Sequence, residues 1–208
     1  RSRGWAPQPI LLSFDATGAA AFGAEQKASF CLGRGRHAFP SQHIGDLKSA
    51  AVLDHYRTAF NTYLHLFRIT PAVLACDLHP DFFSTREAED MAKRFSLPLV
   101  RVQHHWAHLS SCLADNAADG PAFGIIWDGT GLGTDGTVWG GEFLRGSFRD
   151  FTRLGSIRPI LLPGGDAATH EIGRVALSLL WDAGLPVSNA PLPDVKRISI
   201  TAMLDKGI

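Results

Sequence analysis

Cysteine is scarce: Cys31, Cys76 and Cys112 are the only three in 208 residues. They form no Cys-x-x-Cys pair, so neither a thiolate zinc site nor a disulfide framework is expected. They read as small core residues. No apolar run reaches the ~18 residues that a spanning helix needs, so no membrane segment is expected. Net charge is missing as well, with Lys plus Arg and Asp plus Glu at 20 each. That balance excludes the positive field of non-specific nucleic-acid binding and a polybasic membrane patch. The start, Arg1-Ser2-Arg3-Gly4-Trp5, has neither a methionine nor an apolar signal core. The chain is expected to begin inside a longer, cytoplasmic protein. His-Glu-x-x-His, the Gly-Lys-Ser/Thr of a Walker loop, and a serine or cysteine nucleophile motif are all absent. No catalytic residue is therefore named.

What is present is a globular composition, 45% apolar and 19% charged. Such a chain can bury a sizeable core. Residues 1–20 read as a connector, with Pro7 and Pro9 favouring extended backbone and a small, featureless stretch over 18–21. A hairpin is expected over 22–37, turning at Gly33-Arg34-Gly35-Arg36. Leu53, Tyr56, Phe60, Tyr63, Leu64 and Phe67 recur at helical spacing and predict a helix over 47–68. A buried strand over 72–78 follows. Ser84-Thr85-Arg86-Glu87 fits a capping box opening a helix over 84–95. Then come a strand over 97–103, a helix over 104–117, a strand over 122–127 and another over 137–145. Further helices are expected over 172–180 and from about Val195. Strand alternating with helix marks an α/β fold, and the hairpin makes its sheet mixed, with flanking helices.

Several segments could carry chemistry. Gln103-His104-His105-Trp106-Ala107-His108 puts His104 and His108 four apart, on one helix face. Imidazoles so spaced can hold one ion. His105 points elsewhere. The alternative is hydrogen-bonded or solvent-facing histidines, but three of nine histidines fall within these few positions. They also open a helix after a buried strand, where open α/β sheets place ligands. Asp128-Gly129-Thr130-Gly131-Leu132-Gly133-Thr134-Asp135-Gly136 follows a strand directly. Its glycines would let backbone amides approach a phosphate, and its aspartates could hold a cation. Asp135-Gly136 also fits a plain hairpin turn. Pro163-Gly164-Gly165-Asp166 could be an anion site with Asp166 as N-cap, or simple capping. Asp77-Leu78-His79-Pro80-Asp81 and Ser41-Gln42-His43-Ile44-Gly45-Asp46 are polar segments that suit a site or an ordinary loop equally.

These segments occur in a familiar order. Gly23-Ala24-Glu25-Gln26-Lys27, Ser41 to Leu47, Asp77 to Asp81 with Ser84-Thr85-Arg86, and Gln103-His104-His105 to His108 resemble the HypF family of hydrogenase-maturation carbamoyltransferases. Asp128 to Gly131, Trp139-Gly140-Gly141-Glu142-Phe143 and Leu162-Pro163-Gly164-Gly165-Asp166 continue the match, which covers nearly everything from Gly23 onward. The resemblance implies a sugar-kinase, heat-shock-protein and actin-type lobe over 21–208 with an incomplete second lobe. Residues 1–20 would then be a linker and the tail of a preceding domain that makes carbamoyl adenylate from carbamoyl phosphate and ATP.

The same resemblance places a divalent metal, iron or zinc, on His104, His108 and Asp128. It places nucleotide contacts on Gly129, Thr130 and Gly131, and on Gly164, Gly165 and Asp166. The implied reaction carries a carbamoyl group from carbamoyl adenylate to the carboxyl-terminal cysteine of the partner HypE, on the way to the cyanide ligands of [NiFe] hydrogenase. The alternatives are an O-carbamoyltransferase of natural-product synthesis, acting on a hydroxyl, and a catalytically inert fragment.

Overall fold

In the computed structural model the described residues are 6–207, without the side chains of residues 166 and 169. The chain divides into two units, residues 6–157 and residues 158–207.

The first unit begins with β1 (Ile10–Leu11), β2 (Ala19–Ala21), β3 (Cys31–Arg34) and β4 (His37–Pro40). It continues with α1 (Ala50–Phe67), β5 (Val73–Asp77), α2 (Phe83–Phe95) and β6 (Leu99–Val102). Six strands form one mixed sheet in the order β1-β4-β3-β2-β5-β6. β2, β5 and β6 run parallel, while β3, β4 and β1 are antiparallel to their neighbours. The residues read as a connector are thus partly strand: Ala20 is buried and β2 lies between β3 and β5. The hairpin turns later than expected, with Arg34 opposite His37.

The apolar stripe of α1 explains its helix. Leu53, Tyr56, Ala59 and Phe60 are buried in a core that also holds Phe22, Phe30, Leu32 and Leu74. Burying each large side chain contributes about 1.5–3 kcal/mol. Phe30 meets Tyr56, Phe60 and Tyr63 edge-on at 5.1–5.6 Å, the arrangement that aromatic quadrupoles favour. The helix ends where Arg68 turns left-handed, before Pro71.

The capping box at the start of α2 does not form. Ser84 Oγ donates to the Gly23 carbonyl, and Glu87 pairs with Arg57. A distant residue caps the helix instead: the Phe83 N–H donates to Glu25 Oε2 at 2.7 Å. Glu25 is buried and its Oε1 has no hydrogen-bond partner. Burial pushes its carboxyl above the ordinary value, outweighing the Phe83 N–H that stabilises the anion. The folded state therefore binds this proton more tightly than the unfolded chain. Stability from this group falls as pH rises from the ordinary carboxylate value through the raised one. Glu25→Gln removes that dependence and keeps an acceptor for Phe83. The variant is expected to gain stability relative to the parent on going from pH 4 to pH 7, read from urea midpoints at both.

The rest of the first unit is α3 (His104–Asp115), β7 (Ala122–Ile126), β8 (Gly131–Leu132), β9 (Val138–Trp139), β10 (Glu142–Gly146) and β11 (Phe151–Ser156). β7, β10 and β11 make an antiparallel sheet in the order β11-β10-β7, with Leu109 and Leu113 of α3 packed on Ile126 and Leu144. The single strand expected over 137–145 is broken in two. β9 pairs with β8, and the chain turns at Gly141, φ 67°, before β10 joins β7.

The second unit holds α4 (Asp166–His170), α5 (Ile172–Asp182) and α6 (Asp194–Leu204). Leu177, Ala190, Leu192, Ile200 and Leu204 form its core.

Candidate functional site

The parallel pairing of β5 with β6 sets the site. It places Asp77, the last residue of β5, opposite Val102. Gln103 then caps α3, its Oε1 accepting from Trp106 N at 2.9 Å. His104 opens the helix, so its ring lies beside the end of β5. His104 Nδ1 is 2.7 Å from Asp77 Oδ2, and its Nε2 is 2.9 Å from Asp128 Oδ2. His108, one turn on and half exposed, brings its Nε2 to 3.5 Å from the same oxygen. One ligand atom from each of His104, His108 and Asp128 falls within 4.8 Å of the others.

The position of Asp128 follows from β7, which delivers it just beyond Ile126. The Gly141 N–H, donating to the Asp128 carbonyl at 2.9 Å, holds it there. Asp128 Oδ2 is buried, yet no donor is aligned on it. Two imidazole nitrogens within 3.5 Å of an unsatisfied carboxylate oxygen suit a shared cation better than a set of hydrogen bonds. Two imidazoles and a carboxylate fit zinc or ferrous iron. Asp77, first, and then Asp128 hold the His104 imidazole above its ordinary value against the opposing effect of burial.

His105 is fully buried beneath the cluster, not turned away from it. Its Nε2 stands 3.9 Å from Asp128 Oδ2 without a partner. Gln103 Nε2 donates to the Leu132 carbonyl at 3.2 Å and lies 3.1 Å from His105 Nδ1. An amide NH2 only donates, so Nδ1 accepts and the His105 proton sits on Nε2. Burial lowers the readiness of this ring to take a second proton.

The glycine stretch wraps this cluster. A Cβ on Gly131 would lie 2.7 Å from His105 Cε1 and 2.9 Å from His104 Cβ. Only glycine lets β8 pass so close to the His105 ring and the His104 Cβ. A Cβ on Gly129 would meet nothing within 4 Å, and Thr130 is exposed. Gly129 and Thr130 thus stand open beside the metal-binding candidates. Asp135 closes the turn as expected, accepting from Thr137 N at 3.0 Å and Trp139 Nε1 at 2.9 Å.

Gly164 and Gly165 lie in the second unit with φ of 85° and 54°. Gly165, not Asp166, is the N-cap of α4, and Asp166 is the first helical residue. Its side chain lies outside the described residues. Among the described residues, the sequence-derived candidates brought together are His104, His108 and Asp128, continuous with Gly129, Thr130 and Gly131. Asp77, from a segment left open between a site and an ordinary loop, joins them, as do Gln103 and His105, to which motif spacing assigned no role. The available signal was their place at the ends of two buried strands.

The sequence profile of the HypF Kae1-like domain matches residues 15–115, and that of the second subdomain of the carbamoyltransferase Kae1-like domain matches residues 124–208. The carbamoyltransferase HypF of Rhizobium leguminosarum bv. viciae is 42% identical over 184 residues, 88% of this chain and 24% of that protein. HypF of Rhodobacter capsulatus is 39% identical across 100% of this chain and 29% of its own length. A crystal structure of full-length HypF in the phosphate- and nucleotide-bound form superposes with a TM-score of 0.88 at 37% identity. That alignment covers 99% of this chain and 27% of the other. The HypF structure from T. kodakarensis gives a TM-score of 0.79 at 36% identity, over 86% of this chain and 24% of that one. The chain spans about a quarter of the length of the curated relatives it matches.

Proposed function

The chain belongs to the HypF carbamoyltransferase family through its Kae1-like domain, and from that premise we propose that it holds the metal and nucleotide of a carbamoyl-transfer site in hydrogenase maturation. The observation that carries this reading is the convergence of His104, His108 and the unsatisfied Asp128 oxygen immediately ahead of an open glycine loop. The relatives are named carbamoyltransferases, and one solved relative is described as phosphate- and nucleotide-bound.

On this reading the donor is carbamoyl adenylate, made from carbamoyl phosphate and ATP, and the acceptor is the carboxyl-terminal cysteine of HypE. His104 and His108, through Nε2, and Asp128 would hold a divalent ion, iron or zinc. When bound, such an ion supplies Lewis-acid polarisation of a carbonyl or phosphoryl oxygen. The backbone N–H groups of Gly129, Thr130 and Gly131, with the Thr130 hydroxyl, would take nucleotide phosphate. Transfer breaks the carbamoyl C–O bond to AMP and makes a C–S bond. AMP leaves with the electron pair, and the thiol gives up its proton as it attacks. Donors fixed before reaction lower the barrier because they need no reorientation as charge develops. The chain need supply no covalent nucleophile, which agrees with a sequence that carries no serine or cysteine nucleophile motif. The HypF names of the relatives favour a thiol acceptor over the hydroxyl of an O-carbamoyltransferase.

The test supplies the protein, within its full-length form, with carbamoyl phosphate, ATP and a HypE carboxyl-terminal peptide. Mass spectrometry is expected to find a thiocarboxamide on the peptide cysteine, with AMP released. A peptide left unmodified by an enzyme that binds both metal and ATP would overturn the assigned acceptor.

A further inference from the structure

Asp77 stands behind the metal-binding candidates and belongs to none of the groups assigned above. It is buried at the carboxyl end of β5, and both its oxygens are engaged. Oδ1 accepts the His79 N–H at 2.9 Å, closing a tight turn, and Oδ2 faces His104 Nδ1 at 2.7 Å. The carboxylate therefore cannot rotate without losing the turn. An ionised carboxylate only accepts. Both ring nitrogens face one, but only Asp77 is aligned for a hydrogen bond, while Asp128 Oδ2 at 2.9 Å is not, so the proton of a neutral His104 sits on Nδ1. Its Nε2 is left with a free lone pair, aimed at the side of the ring where Asp128 and His108 converge.

We infer that Asp77 is a positioning residue for metal binding, fixing the tautomer and ring orientation of His104 so that Nε2 presents its lone pair to the ion. This rests on the metal-centre reading above. A carboxylate hydrogen-bonded to the remote nitrogen of a ligating histidine also raises its basicity, and losing such a partner typically costs about 10–100-fold in metal affinity.

Asp77→Asn separates this role from packing. The variant has nearly the same shape, and the His79 N–H still needs an acceptor, which keeps the amide oxygen in the Oδ1 place. The amide NH2 then faces His104 Nδ1 and donates to it. The His104 proton is driven to Nε2, the nitrogen the ion needs. Chelator-competition titrations with zinc and cobalt(II) are expected to show the variant about 10–100-fold weaker than the parent, with its thermal midpoint little changed. Asp77→Ala is expected to be weaker than the parent but tighter than Asp77→Asn, because it leaves the tautomer free.

A measurement on the parent alone removes any dependence on variant folding. Nitrogen-detected NMR of the metal-free protein, above the His104 titration, is expected to show the Nδ1–H tautomer. The Nε2–H tautomer there, or equal metal affinity for Asp77→Asn and the parent, overturns the inference while leaving the metal centre standing. A parent protein that binds neither zinc nor cobalt overturns the metal-centre reading and this inference together.

Discussion

Alanine at position 104 is expected to lower affinity for zinc or ferrous iron by more than about 100-fold, since losing a mere supporting partner of a ligand already costs ~10–100-fold. Carbamoyl transfer should fall with it, by at least the ~10²–10³-fold seen when one preorganised charge-stabilising group is removed. His104 is held at Nδ1 by Asp77, with Nε2 facing Asp128, so little ordering is needed for it to bind the ion. The substitution also strands the buried Asp77 carboxylate, which costs on the order of 1–3 kcal/mol of stability. His108→Ala supplies the companion, because that ring is half exposed. Both variants should lose metal by plasma emission analysis after dialysis, and His108→Ala should keep the parent's thermal midpoint. Metal content and transfer unchanged in both would sink the centre. Protons compete with the ion for imidazole nitrogen, and Asp77 holds the His104 ring above its ordinary value. Metal affinity should therefore begin to fall, as pH drops, at a higher pH than for a free imidazole.

The two histidines were legible because their relation is local: four residues apart on one helix after one strand. Asp128 could be read from its glycine stretch as a residue able to hold a cation, but only the resemblance joined it to the histidines, since nothing in its spacing ties it to α3. Asp77 lies 27 residues from His104. Its role appears only once β5 and β6 pair in parallel with Asp77 opposite Val102, which brings the end of one strand against the start of the next helix. The misread segments share this cause. The run Ala19–Ala21 lacks the branched side chains of an ordinary strand, and its extended backbone is imposed by two neighbours, β3 and β5. Small residues suit that place, where Ala20 is wholly covered. Ser84 and Glu87 have the spacing of a capping box, but Gly23 and Arg57 offer them better partners from across the fold.

Arg153→Met should destabilise the first unit by about 2–3 kcal/mol, somewhat below the ~3–5 typical when one partner of a buried ion pair is removed, because Arg153 is a third exposed. Glu142 is wholly buried on β10. Arg153 of β11 reaches it through Nε at 2.6 Å and Nη2 at 3.0 Å, while Gly140 N–H donates to its Oε1 at 3.0 Å. The guanidinium also lies 4.2 Å over the Trp139 ring, whose Nε1 holds Asp135. These contacts tie both halves of the interrupted strand to the sheet, and Gly141 N–H ties that junction to Asp128. Removing the cation leaves a buried carboxylate unpaired, so the loop must open to hydrate it. Metal affinity should then fall as well, although Arg153 touches none of the metal-binding candidates. Replacing both partners, as Glu142→Leu with Arg153→Met, removes the charge that demanded hydration and should cost less than the two single changes added together. Urea denaturation of the four members of this cycle measures the coupling. Strictly additive costs would show that the pair does not hold the loop.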